Sequence, residues 1–294
     1  MAGIGKIIRE RNLNIWDKAA YLLDLFWFKA WGMKKNVSGL FGYDIHSTNS
    51  DALMHLVNEI FVQLSYYVPI RGGSPIIFDI GGNIGIATLF FKKIFPHSTV
   101  YCFEPDPQTF TLLQRNIIGN KLNNVFSFNA GVSDFSGTAK LYVPPWSNGS
   151  SSLFQEKIAI EAGYADRCQP GITLSSEEKD IAMMRCSEFI RDRGIEHIDL
   201  MKIDAEGAEE RIFNDLRDSL GMIDMIIFEH HYAKDFLQRN SLARIIAILE
   251  EAGFVVSTAP AWFTSSPQVM CTYMVKAVNG RCTESSALLQ GCKE

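Results

Sequence analysis

The chain has 294 residues, 47% hydrophobic, 12% aromatic and 21% charged, a composition that excludes global disorder and supplies a large core. Twenty-eight basic against 33 acidic side chains leave a net charge of −5, so nucleic acid is not an expected partner. Six cysteines, at 102, 168, 186, 271, 282 and 292, make no C-x-x-C pair and have no histidine at zinc-finger spacing, which argues for reduced thiols in a cytoplasmic protein.

Residues 1–72 read as a helical subdomain, a lid or packing element, with no secretory signal ahead of it. Trp16, Ala19, Ala20, Leu23, Phe26 and Trp27 recur at helical spacing, and this stripe is expected to pack on the main domain. The alternative for such an aromatic helix is peripheral contact with a membrane surface. A second helix over 51–67 aligns Leu53, Leu56, Val57, Ile60, Phe61 and Leu64, with Ser50 as its N-cap and Pro69 and Gly72-Gly73 to end it. No transmembrane segment is expected. Asp24 and Lys29 interrupt the apolar run at 22–31, and Pro260 and Pro267 break the uncharged stretch 252–275.

From Pro75 the pattern alternates. Ile76-Ile77-Phe78 is a buried strand ending at Asp79 and a Gly-rich turn, followed by a helix over 84–95. A strand over 100–103 ends at Glu104, Asp106 and Pro107 open a helix through Asn116, and a third strand covers 125–128. An insertion, 135–197, is rich in Pro, Ser and Gly and reads as irregular. Its Trp146 is either a platform for a sugar face or an anchor holding the loop to the core. Strands at 198–203 and 223–228, helices at 208–220 and 241–252, and strands at 255–256 and 273–278 complete a domain over 73–278, with a fraying tail at 279–294. Continuously apolar strands alternating with helices imply an α/β fold whose parallel sheet is covered on both faces.

The turn Asp79-Ile80-Gly81-Gly82-Asn83-Ile84-Gly85 lies where open α/β sheets bind ligands. Gly81 and Gly85 admit close approach, Asn83 tolerates positive φ, and the following helix offers unpaired N–H groups. Glu104, 25 positions after Asp79, suits the two hydroxyls of a ribose. A dinucleotide fingerprint read from Gly81 meets Asn83 and Ile86 where glycines belong, so two of its three glycines are missing.

The D-x-G-x-N-x-G form resembles motif I of class I S-adenosylmethionine-dependent methyltransferases. FDIGGNIGIATLFF (78–91), VYCFEPDPQTFTLLQRNI (100–117), AGVSDFSG (130–137), IDLMKIDAEGAEE (198–210) and IIFEHH (226–231), in that order, are similar to the FkbM-type methyltransferases. The resemblance covers roughly 75–278. The family commonly has Ala where Gly82 stands and Val where Ala205 stands. What it implies is a Rossmann-like class I sheet, mostly parallel with the last strand antiparallel, and O-methylation of a sugar, glycan or natural-product acceptor. Asp79, Gly81, Asn83 and Gly85 would then lie at the methionine end of S-adenosyl-L-methionine and Glu104 at the ribose. Pro105, Asp106, Asn129 and Ala130 would border the adenine.

Period-2 alternation puts Lys202, Asp204 and Glu206 on one face at the end of the fourth strand, and Glu229 and His231 on one face at the end of the fifth, with His230 beside them for the acceptor. His231 reads as the general base, with Asp204 or Glu206 sharing that task or orienting the acceptor. Capping of the next helix by Asp204 and Glu206 is one alternative. A Mn²⁺ or Fe²⁺ site of Asp204, Glu206, Glu229 and His231 is another, and is not favoured. Rival functions are an NAD-dependent oxidoreductase and a non-catalytic scaffold that recruits a membrane or partner. Acceptor identity and oligomeric state are beyond the sequence.

Overall fold

A computed structural model describes residues 2–31, 39–145, 148–168, 176–233, 236, 238–263 and 270–282. The apolar runs become strands β1 (Ile76–Ile80), β2 (Thr99–Phe103), β3 (Val125–Phe128), β7 (Ile198–Ile203), β8 (Ile223–Ala233), β9 (Phe254–Phe263) and β10 (Met270–Asn279). They form one sheet in the order β3-β2-β1-β7-β8-β10-β9. Neighbours from β3 to β8 are parallel, while β10 runs antiparallel between β8 and β9. This is the mostly parallel arrangement the resemblance implies, and its antiparallel strand is last in the chain but not at the edge. Pro260 sits in the edge strand β9, where a missing N–H is tolerated.

Side chains alternate between two cores. Ile77, Leu200 and Ile227 face one, and Phe78, Met201 and Phe228 face the other. Helices α4 (Ile86–Ile94), α5 (Pro107–Gly119), α7 (Cys186–Asp192), α8 (Glu209–Leu216) and α9 (Leu242–Glu251) cover the faces. Chain order leaves β1 towards β2 on one side and β7 lies on the other, so the winding reverses between β1 and β7 and opens a crevice at their carboxyl ends.

The front segment packs on the first core. It contains α1 (Ala2–Arg9), α2 (Ile15–Trp31) and α3 (Ser50–Val57), the last prolonged by a π-helical turn, Asn58–Val62. Asn49, not Ser50, is the cap: its side chain accepts from the N–H groups of Asp51 at 3.0 Å and Ala52 at 3.1 Å. Leu64, at φ 59°, turns the chain before Pro69 is reached. Among the described side chains of α2, Tyr21 and Leu25 are buried, while Trp16, Ala19, Ala20, Leu23 and Phe26 face outward, the reverse of the expected stripe, whose Trp27 side chain lies outside those described. The helix is apolar on both sides, so periodicity alone does not choose the inner face. Tyr21 does, because its hydroxyl donates to the Phe61 carbonyl at 2.7 Å and its ring joins Phe41 and Phe61.

The insertion is not irregular. It carries β5 (Gly137–Val143), α6 (Gln155–Cys168) and β6 (Glu177–Arg185), and β6 pairs with both β5 and β4 (Gly131–Ser133). Leu141, Val143, Ile181 and Met183 give this small sheet a core of its own. Most of β6 is charged and its two buried apolar positions fall on alternate residues, a weak strand signal.

Candidate active site

The Gly-rich turn is built by close backbone packing. Gly81 and Gly82 both donate to the Phe103 carbonyl, at 3.0 and 2.8 Å. Gly81, at φ 75°, lies so near β7 that a Cβ there would stand 1.8 Å from the Asp204 carbonyl oxygen. Lys202 clamps the turn from beneath. Its buried ammonium donates to the Gly81 carbonyl at 2.6 Å and stands 3.3 Å from Asp79 Oδ1. Asp79 in turn accepts from Thr88 Oγ1 at 2.6 Å. Burial alone would lower the Lys202 pKa, but Asp79 and Asp204 outweigh it and keep the group charged. Asp79 and Lys202 therefore hold the turn in place, and neither lines the cleft.

Glu104 does line it, together with Gly81, Asn83, Pro105, Ala130, Asp204 and Glu206. Its two oxygens accept from the N–H groups of Asp106 and Asn83, each at 2.9 Å. Burial pushes its pKa up to about 7 against the pull of those two bonds. Asp106 is turned away: it caps α5 through Thr109 and pairs with Lys179 at 2.7 Å. Burial would raise its pKa, and the bonds from Lys179 and Thr109 outweigh burial and lower it. Asn129 is exposed and donates to the carbonyls of Glu104 and Pro105, fixing the turn after β2. Leu141, Ile181 and Met183 of the small sheet supply the cleft's apolar wall.

Beyond the carboxyl end of β7, beside β8, lies a charged cluster. Strand β8 runs on to Ala233 because β10 pairs with it that far, so Glu229 and His231 lie within a strand and not beyond its end. His231 is held between two carboxylates, Nε2 3.3 Å from Glu206 and Nδ1 3.3 Å from Glu209. Burial would lower its pKa, but these partners raise it to about 10, so the imidazole is cationic at neutral pH. Glu209, fully buried, also accepts from Asn240 at 2.6 Å and Gly207 N–H at 3.0 Å. Burial would raise its pKa, and His231 foremost pulls it to about 2. Lys157 of α6 bonds Glu206 and Glu161, which ties the insertion to the rim.

Asp204 differs from these. Its Oδ1 is buried without a hydrogen-bond partner, and burial raises its pKa despite Lys202 nearby. Glu229 accepts from the Tyr66 hydroxyl, and burial, with Asp204 and Glu59 adding like charge, raises it to about 8. Asp204, Glu206 and His231 each offer a ligand atom within 4.8 Å of one another, a divalent-cation geometry in outline. Lys157 and His231 already meet the charge of Glu206, however. His230 points to the opposite face: fully buried, it contacts the Asn240 carbonyl at 3.3 Å, and burial lowers its pKa. Trp146 lies outside the described residues.

The family described as methyltransferase FkbM domain matches residues 79–256, from the Gly-rich turn to the start of β9. The chain belongs to this family. It is a methyltransferase on the class I fold. "Methyltransferase 1" of Beauveria bassiana is 31% identical over 225 residues, covering 74% of this chain and 87% of that protein. The "31-O-demethyl-FK506 methyltransferase FkbM" of Streptomyces tacrolimicus is 28% identical, covering 73% of this chain and 86% of its own. Among solved structures, a methyltransferase from Pyrococcus furiosus covers 89% of this chain and 98% of that one, at 14% identity and a TM-score of 0.44. The FkbM match begins after the front segment, yet Tyr66 and Glu59 from that segment reach the carboxylates of this site. Sequence reasoning missed both, as well as Lys157 and Glu209. Only Glu209 left a signal, as an acidic residue in the first turn of a helix beside the motif.

Within the described residues no helix is long and apolar enough to cross a membrane.

Proposed function

We propose that this FkbM-family enzyme transfers a methyl group from S-adenosyl-L-methionine to a hydroxyl of a sugar, glycan or natural-product acceptor. The observation that carries the reading is Glu104. It is buried at the mouth of the cleft, with each oxygen held by one backbone N–H and lone pairs left over for the two hydroxyls of a ribose. Gly81, Asn83 and Gly85, all at positive φ, shape the turn, and Gly81 and Asn83 line the cleft beside Glu104, while Gly85 packs against Leu113. S-adenosyl-L-methionine, when bound, supplies the electrophilic methyl group. The Streptomyces tacrolimicus relative, named as a 31-O-demethyl-FK506 methyltransferase, supports a hydroxyl acceptor.

In this reading the protein's task is to hold an acceptor hydroxyl in line with the methyl group and take its proton as the bond forms. His231 is too firmly protonated to begin as the base, so it orients Glu206 and offers positive charge to the acceptor oxygen. Asp204 takes the proton: it lines the cleft with a buried, unpartnered oxygen, and its raised pKa suits a general base. Residues 1–72 serve as an acceptor-side subdomain, supported by the bond from Tyr66 to Glu229. The insertion 135–197 serves as the cover of the cleft, supported by its apolar wall and by Lys157.

The test is a panel of hydroxylated acceptors scored by S-adenosylhomocysteine release and by the position of the new methyl group. Asp204→Asn should keep affinity for S-adenosylhomocysteine within a few-fold and lower turnover by ~10² or more. Methylation at nitrogen or carbon would overturn the hydroxyl acceptor. Full turnover in Asp204→Asn, with collapse in His231→Gln, would return the base role to His231.

A further inference from the structure

The outward face of α2 is the least expected surface of the molecule. Ile15 is 73% exposed, Trp16 80% and Leu23 56%, and Ile8 of the preceding helix α1 is 55% exposed. At 3.6 residues per turn, Ile15, Trp16, Ala19, Ala20, Leu23 and Phe26 fall within an arc of about 140° that contains no acidic residue. The opposite side of the same helix is spoken for, with Tyr21 and Leu25 in the core. A helix apolar on its inner side for packing has no need of Ile, Trp and Leu on its outer side for folding.

Charge supplies the second observation. Residues 1–35 carry seven basic side chains (Lys6, Arg9, Arg11, Lys18, Lys29, Lys34, Lys35) and three acidic ones (Glu10, Asp17, Asp24). That is +4 at the front of a chain whose total is −5, so the remainder is −9. The turn between α1 and α2 adds a third. Asn12 donates to the Ile70 carbonyl at 3.4 Å, which brings Arg11 to one side of a groove whose other side is Arg71. Arg9, the last residue of α1, and Arg11 in the turn are both exposed, a few positions before Ile15 and Trp16 in the chain.

We infer that α1 and α2 dock the enzyme on an anionic phospholipid surface. Trp16, Ile15, Leu23 and Ile8 would enter the acyl boundary, with Arg9, Arg11 and the Arg11–Arg71 groove at the phosphate level. Apolar insertion and cationic attraction reinforce each other, since one such helix alone binds only weakly. A second copy of the chain fits less well, because two such faces would bring the same positive charges together.

Vesicle flotation of the full chain tests this, using phosphatidylcholine alone and phosphatidylcholine mixed with phosphatidylglycerol. The protein should float with the mixed vesicles and not with the neutral ones, and should be released as salt shortens the screening length. Trp16→Asp/Leu23→Asp should lower partitioning about 100-fold, roughly tenfold for each buried side chain. Arg9→Gln and Arg11→Gln should each lower it about fivefold. These exposed positions leave melting and cofactor affinity unchanged, and the salt dependence of the unaltered protein is read without any variant. No flotation with mixed vesicles, or equal flotation of the variants, overturns the inference. So does a concentration-dependent dimer, abolished by Trp16→Asp/Leu23→Asp, in a protein that does not float.

Discussion

Gly82 is where the family commonly has alanine, and its neighbour explains the difference. A Cβ on Gly82 would stand 2.2 Å from Cys102 Sγ and 3.6 Å from Leu113. The backbone there is not left-handed, so alanine meets no conformational penalty and gains about 0.4–1 kcal/mol through the unfolded chain. The overlap costs about 1–3 kcal/mol, because Cys102 is fully buried, with its sulfur 3.8 Å from Asp79 Oδ2, and has nowhere to move. Gly82→Ala alone should therefore destabilise by roughly 1–2 kcal/mol. Cys102→Ala alone should cost a similar ~1–2 kcal/mol by leaving a small cavity. Together they should nearly cancel, since the new methyl group fills the space the sulfur vacates. Urea unfolding of the four proteins yields the coupling energy, expected at about 2–4 kcal/mol. Additivity within ~0.5 kcal/mol would refute the reasoning, as would a Gly82→Ala protein as stable as the parent.

The titrating groups make further predictions. With Glu104 raised to about 7, affinity for S-adenosylhomocysteine should rise about tenfold from pH 6 to pH 8, as the carboxylate becomes available to donors. In Glu104→Gln the slope should vanish, and isothermal titration calorimetry reads both. His231, raised from 6.5 to about 10, stabilises the fold fully below about pH 6.5 and loses that contribution as pH rises through 10. Melting temperature should fall over that range in the unaltered protein, and less steeply in His231→Gln. Glu209, lowered to about 2, contributes stability above about pH 4.5 that disappears as pH falls towards 2, and it reports the same ion pair. Tyr66→Phe removes the donor that partly restrains Glu229, so Glu229 should titrate above 8 and the pH–rate profile should shift upward. An unshifted profile would make Tyr66 a packing residue only.

The parallel core of the fold was legible because its strands are short, apolar and punctuated. Asp106 as a cap, the Gly-rich turn and Glu104 at the end of β2 stand where spacing puts them. Pairings between distant segments were not legible. β8 outruns its apolar run because β10 supplies a partner as far as Ala233, and polar Glu229 and His231 are carried along within it. The small sheet escaped because β6 is mostly charged and is specified by β4 and β5, not by its own pattern. His231 looked like a base by its residue type, and only the fold brings Glu206 and Glu209 to its two nitrogens. Tyr66 left no signal at all, since nothing local marks a tyrosine that will meet Glu229 from 163 positions away.

The central claim is that the cleft between Gly81 and Glu104 binds the nucleoside of S-adenosyl-L-methionine. Isothermal titration of the full chain with S-adenosylhomocysteine and, separately, with NAD addresses it most directly. The account predicts one-to-one binding of the thioether, lost in Glu104→Ala, and no competing affinity for NAD. Binding of NAD without binding of S-adenosylhomocysteine would contradict it.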